Sequence, residues 1–172
     1  IDYNNYTIPH NAPARFAVYD WHRNQQPIQE QGYTTDLIAN EATRLIAEQK
    51  QDRPFFIYVP FNAVHGPIEE VPRYTDQYPA RQAALKCLDD AIGRIVAAVD
   101  QHGFAQNTLV IFANDNGGLT EEMNKPWRGT KNTTFEGGVR VPCVMRWPGK
   151  IEPGTENDGM MHVVDLLPTF LT

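Results

Sequence analysis

The sequence predicts an α/β fold with a mainly parallel sheet flanked by helices, and three segments carry that prediction. Phe55–Val59 is a continuous apolar run of strand length. Ala80–His102 sets Ala84, Leu88, Ala91, Ile92, Ile95, Val96 and Val99 at helical spacing. Leu109–Ala113 is a second apolar run. Strand, helix, strand in that order is the βαβ unit, in which two parallel strands share a sheet and the helix packs across them. The two runs are therefore expected to be parallel and adjacent or nearly so. With no polar residue to face water, Phe55–Val59 is expected to be buried on both faces.

The remaining elements follow from local chemistry. Residues 1–33 are polar and rich in Asn, Gln and Pro, and predict an irregular or partly strand-forming approach. Thr34 or Thr35 can cap a helix running to Lys50, with Leu37, Ile38, Ala42, Leu45 and Ile46 on one face. Gln51-Asp52-Arg53-Pro54 stops it. A proline-bearing loop spans Pro60–Pro79, and Gly103 closes the second helix. After Leu109–Ala113 a long loop reaches Thr134, and Val141–Trp147 predicts a short strand. Asp165–Leu171 begins a last helix, with Pro168 in its first turn and Asp165 as its cap.

Polar residues crowd the ends of the apolar runs, where an open α/β sheet places its ligands. Leu109–Ala113 leads into Asn114-Asp115-Asn116-Gly117-Gly118. Asp115 and Asn116 offer side-chain oxygens suited to Ca²⁺ or Mg²⁺, and the same residues also make a good turn. His65 follows Phe55–Val59 in Val64-His65-Gly66-Pro67, where an imidazole can donate a hydrogen bond or, when charged, a proton. Lys131 ends Trp127-Arg128-Gly129-Thr130-Lys131; most lysines simply face water, but an ammonium here could hold an anion. Arg128 is expected to brace this loop. Glu136 and Arg140, in Phe135-Glu136-Gly137-Gly138-Val139-Arg140-Val141-Pro142, are expected to form an ion pair, with the glycines permitting close backbone approach. Asn5-Tyr6-Thr7 and Asn132-Thr133-Thr134 fit the glycosylation pattern; both are discounted, the second because a glycan would obstruct Lys131.

The formal charge of -6 over 172 residues leaves no basic footprint for nucleic acid. It also repels anionic ligands at long range, so an anion site must be made locally positive. No apolar run is long enough to span a membrane. Cys87 and Cys143 make no disulfide framework and are expected to be buried free thiols. The chain begins at Ile1 and stops inside a predicted helix, as an excised piece would.

Taken in order, Pro54–Pro67, Leu109–Gly118, Trp127–Lys131 and Phe135–Pro142 resemble the sulfatase family, in the arylsulfatase branch of the alkaline-phosphatase-like hydrolases. The likeness runs from about Gly32 to Thr172. It implies hydrolysis of a small-molecule or carbohydrate sulfate ester, in a periplasmic, secreted or lysosomal setting, without nucleic acid or a membrane span. It implies that Asp115 and Asn116 are two ligands of a Ca²⁺ (Mg²⁺ being the alternative), that His65 contacts a sulfate oxygen, and that Lys131 binds sulfate and stabilises the leaving oxygen. His162, in Met161-His162-Val163-Val164-Asp165, would border the substrate pocket, although structural burial fits it as well.

The family's nucleophile is a formylglycine made from Cys or Ser in a Cys/Ser-x-Pro-x-Arg motif. Neither Cys87-Leu88-Asp89 nor Cys143-Val144-Met145 fits, and the chain has no Ser. The two further aspartate ligands are not found either. Residues 1–172 are thus expected to be a partial sulfatase catalytic domain, its later half, inactive alone, with the formylglycine in a missing N-terminal part. A phosphatase or phosphonate hydrolase of the same superfamily, or a non-catalytic anion-binding module, would differ in that missing motif.

Overall fold

The computed structural model describes residues 21–66 and 68–171, which fall into two compact units that divide between Phe104 and Ala105. The expectations for residues 1–20, Asn5 among them, lie outside the described residues.

The first unit is built on two helices, α1 (Thr34–Ala47) and α2 (Ala80–Gln101). The two helices pack on each other and bury mostly small residues, Ala39 and Ala42 on α1 and Ala83, Ala84, Cys87 and Ala91 on α2 all being nearly inaccessible. Side chains this small let two helices approach closely while excluding water. The N-cap of α1 is Tyr33, which makes no side-chain capping bond. Thr34 and Thr35, the expected caps, are instead buried in the first turn. The helix stops at Ala47, short of Lys50. The end of α2 is as expected: Gly103 takes φ +78° and Phe104 N–H returns to Val99 O at 3.0 Å.

Two clusters seal this unit. One joins Ile46, Ala98, Val99 and Phe104 with Phe55, Ile57 and Ile95, and the rings of Phe55 and Phe104 meet edge-on at 5.3 Å. The other joins Val71, Ala83, Ala84 and Cys87 with Tyr33, Val64, Ile68 and Tyr74. A short hairpin, β1 (His22–Arg23) with β2 (Gln26–Pro27), precedes them and turns through Asn24 at φ 56°.

Residues 55–59 correct one expectation. They carry no ladder among the described residues. Their burial alternates: Phe55, Ile57 and Val59 are half-buried, while Phe56 is 80% and Tyr58 77% exposed. Alternation is the signature of extended backbone with one face packed. The helices cover that face, and no described element covers the other, so the run is not buried on both.

The second unit contains β3 (Val110–Ala113) and β4 (Cys143–Arg146), paired antiparallel with Val110 opposite Arg146 and Ala113 opposite Cys143. Among the described residues the sheets are thus two small antiparallel pairs, and the expected parallel pairing is not formed. Cys143 is exposed rather than buried, because β4 has no layer over that face among the described residues. Short helices α3 (Glu121–Asn124) and α4 (Glu136–Val139) stand in the loop between the strands. The last helix, α5 (Val163–Phe170), starts two residues earlier than expected, so Pro168 lies in its interior. No described helix is long and apolar enough to cross a membrane.

Candidate active site

Beyond β3 the chain enters a compact loop cluster held mainly by backbone bonds. Asn114 N–H reaches Pro142 O at 3.3 Å, extending the strand pair to the threshold of Asp115. Gly117 N–H bonds Gly138 O at 3.0 Å, Lys131 N–H bonds Gly118 O at 2.9 Å, and Gly137 N–H bonds Arg128 O at 2.7 Å. A Cβ on Gly117 would stand 1.9 Å from Gly137 O, and one on Gly137 would stand 2.2 Å from Gly129 O. Only glycine permits these approaches. Gly129 also needs its positive φ of +93°. Asp-Asn-Gly-Gly, Arg-Gly-Thr-Lys and Glu-Gly-Gly, three separate motifs in sequence, are one fastened body in space.

This cluster sets the Lys131 backbone against Gly118, two residues past Asn116, beyond the carboxyl end of β3. Asp115 is exposed, while Asn116 and Lys131 are half-buried. Lys131 forms no ion pair among the described residues, whereas its neighbour Lys125 is bound to Glu122 at 2.5 Å. The arginines nearby are occupied. Arg128 lies over the Phe135 ring at 4.0 Å, bracing the loop as expected, and Arg140 lies over Trp127 at 4.1 Å. Arg140 also meets Glu136 at 3.4 Å, the predicted pair, although both side chains are exposed and the contact adds little.

His65 stands in the first unit. Its backbone N–H bonds Asn62 O at 2.8 Å, and Nδ1 lies 2.8 Å from Gly66 O. The flanking Val64 and Ile68 pack on Val71, Ala83, Ala84 and Cys87, which seats the loop on α2. Charge fastens the same place. Arg73 meets Asp36 at 2.5 Å and points Nη2 at the Cys87 sulfur, 3.1 Å away, while Arg94 reaches Asp36 at 2.8 Å. The carboxylate of Asp36 holds the Arg73 guanidinium firmly charged, while burial pushes the Cys87 thiol up and raises Tyr33 to about 12. A shallow groove of about 470 Å³ between α1 and α2 contains none of the expected site residues, and its arginines are already paired, Arg44 with Glu41 and Glu48, Arg94 with Asp36.

His162 is neither buried nor free of structural work. It caps α5, accepting Val164 N–H on Nδ1 at 3.2 Å, while Asp165 accepts His162 N–H at 2.7 Å. This is a capping box with the roles reversed from expectation: His162 is the cap and Asp165 its partner three residues on.

Asn124 was not singled out by sequence reasoning. Its carboxamide accepts Gly118 N–H at 2.7 Å and donates to Gly118 O at 3.0 Å and Gly129 O at 2.9 Å. The available signal was a carboxamide, both donor and acceptor, midway between two glycine motifs whose backbone needs partners.

Asp115 and Asn116 supply hard oxygen donors, and neither side chain is tied to another described residue. They fit part of the shell of Ca²⁺, which takes about 6–8 oxygens, or of Mg²⁺. No group of three or more His, Cys, Asp or Glu able to hold a metal occurs among the described residues.

The Sulfatase family model matches residues 3–172. The chain belongs to the sulfatase family. It is 35% identical over 173 residues to steryl-sulfatase of Rattus norvegicus, covering 93% of this chain and 30% of that protein. Among solved structures it resembles the PsFucS1 sulfatase from Pseudoalteromonas sp., with TM-score 0.68, 34% identity, and 79% of this chain against 29% of that one. It also resembles Ps i-CgsB in complex with k-i-k-neocarrahexaose, with TM-score 0.77, 28% identity, and 86% against 35%. This sulfatase chain thus spans about a third or less of the proteins it matches. Over the matched residues it shares the fold of these alkaline-phosphatase-like sulfatase structures.

Proposed function

We propose that the intact protein hydrolyses sulfate esters, with this chain supplying part of the metal site and the cationic grip on the sulfate. The observation that carries this is the Lys131 N–H to Gly118 O bond, which ties an ammonium without a described counter-ion to the Asp115-Asn116 turn. A cation and an oxygen-donor pair in one rigid body suit an anionic ester bound against a metal.

Asp115 and Asn116 would hold Ca²⁺, or Mg²⁺, as two of its protein ligands. When bound, such an ion supplies positive charge that polarises the ester and activates a nucleophile. Lys131 would hold a sulfate oxygen and stabilise charge developing on the leaving oxygen. His65 would donate a hydrogen bond to sulfate, and His162, with Nδ1 taken by its cap, would offer Nε2 at the pocket border. The nucleophile, a formylglycine, would come from outside these residues. A carbohydrate sulfate is the favoured substrate class, supported by the likeness to a structure holding k-i-k-neocarrahexaose, and a periplasmic, secreted or lysosomal setting goes with it. In the complete domain, residues 55–59 would be a strand of a mainly parallel sheet, which the bare face of Phe56 and Tyr58 supports.

The test is turnover of a chromogenic aryl sulfate and the matching aryl phosphate by the intact protein, with and without Ca²⁺. Sulfate turnover that needs Ca²⁺ is expected. In Asp115→Ala it should fall and return in part at excess Ca²⁺, because the lesion lies in metal affinity. Phosphate turnover without sulfate turnover would replace this reading with the phosphatase one.

A further inference from the structure

We propose that Asn124 is a positioning residue for Lys131, setting the distance between the ammonium and the Asp115-Asn116 turn. The proposal rests on the assignment of Lys131 to sulfate made above. Asn124 ends α3 and touches neither Asp115 nor Lys131 through any side-chain bond. It instead makes three bonds to the backbone that carries them. Oδ1 accepts Gly118 N–H at 2.7 Å, and Nδ2 donates to Gly118 O at 3.0 Å and to Gly129 O at 2.9 Å. One planar carboxamide therefore bridges the loop segment following Asn116 to the loop segment preceding Lys131.

Gly118 O is the hinge of the arrangement. It accepts Nδ2 of Asn124 and the N–H of Lys131, at 2.9 Å, on its two lone pairs. The site is shaped to admit this side chain. A Cβ on Gly118 would stand 2.8 Å from Oδ1 of Asn124, so glycine is what lets the carboxamide reach that backbone. On the other side, Gly129 presents its carbonyl from a left-handed φ of +93°, and a Cβ there would stand 2.6 Å from Cβ of Phe135 and 2.7 Å from Oγ1 of Thr133. No other residue type does the same work. Aspartate keeps the acceptor but loses both donors and faces two carbonyl oxygens with a charge. Glutamine keeps all three groups and displaces them by one methylene.

The experiment is a double-mutant cycle in the intact protein, with Asn124→Asp and Lys131→Ala alone and combined, following kcat and KM on an aryl sulfate. Asn124→Asp is expected to lower kcat about tenfold with KM changed less than about threefold. In the Lys131→Ala background the same substitution should then change kcat less than about twofold, since a residue acting through Lys131 has nothing left to position. A merely structural role would lower both backgrounds equally, and that additive result overturns the proposal. If Asn124→Asp fails to fold by circular dichroism, the cycle is run with Asn124→Gln, with the same two expectations. A parent enzyme that turns over no sulfate ester overturns the functional assignment, and this proposal with it; a turning-over parent with an additive cycle overturns this proposal alone.

Discussion

The two units hold their candidate residues in place by different means. In the first, His65 sits on a loop fastened by side chains: Val64 and Ile68 packed on α2, and Arg73 tied to Asp36 on α1. In the second, Asp115, Asn116 and Lys131 are set by backbone bonded to backbone through Gly117, Gly118, Gly137 and Gly138. Side-chain packing yields gradually, because neighbours relax into a lost methyl group. Backbone contact at van der Waals limits does not yield. Chemistry that needs a cation and metal ligands at fixed separation is better served by the second arrangement.

The largest effect should come from the cation itself. Lys131→Ala in the intact enzyme is expected to lower kcat by about a hundred- to a thousandfold, the cost of removing one group that stabilises developing charge. A change confined to KM would instead mean that Lys131 binds ground state and transition state alike.

A pair of glycine substitutions sharpens the contrast between units. Gly117→Ala drives a methyl group to within 1.9 Å of Gly137 O, a backbone atom that cannot swing aside. It should cost about 3 kcal/mol and abolish turnover. Gly93→Ala, on the exposed side of α2, meets nothing within 4 Å. It should stabilise by about 1 kcal/mol, since alanine restricts the unfolded chain and favours helix. Thermal unfolding of both variants decides the matter. Equal shifts would mean that the glycine-rich cluster is no more constrained than a helix surface.

The same difference explains what the sequence could reveal. Periodicity located α1 and α2 to within a few residues, because a helix buried on one face must repeat its apolar positions. It could not say that Phe56 and Tyr58 would be bare, since an unbroken apolar run carries no mark of which face finds a partner. It misassigned the cap of α5 because His162 is an unusual cap and Asp165 a common one. In the loop cluster no periodicity exists. The glycines betrayed close approach, but the partners of that approach, and the hub at Asn124, depend on pairings between segments distant in sequence. Asp115 and Asn116 stood out as oxygen donors at the end of an apolar run, whereas Lys131 stood out only as a member of a motif.

The smallest expected effect tests the side-chain fastening of the first unit through pH. Glu41 lies between Arg44 at 2.6 Å and Arg23 at 2.5 Å. The hydrogen bonds from Arg44 and then Arg23 pull its carboxyl down to about 2, against an ordinary 4.5. A carboxyl whose value is depressed in the folded state contributes stability above its unfolded value, and loses it as pH falls through the folded one. The loss belongs between about pH 4.5 and 2. The Glu41 side chain is 36% exposed, so water and salt screen most of the interaction and about 0.5 kcal/mol remains. Glu41→Gln should therefore lower the denaturation midpoint slightly at pH 7 and by less at pH 2, where the native carboxyl is already about half protonated. Added salt should shrink the pH 7 difference further, as screening of an exposed pair requires. A difference that persists undiminished at pH 2 would assign the role of Glu41 to packing rather than charge.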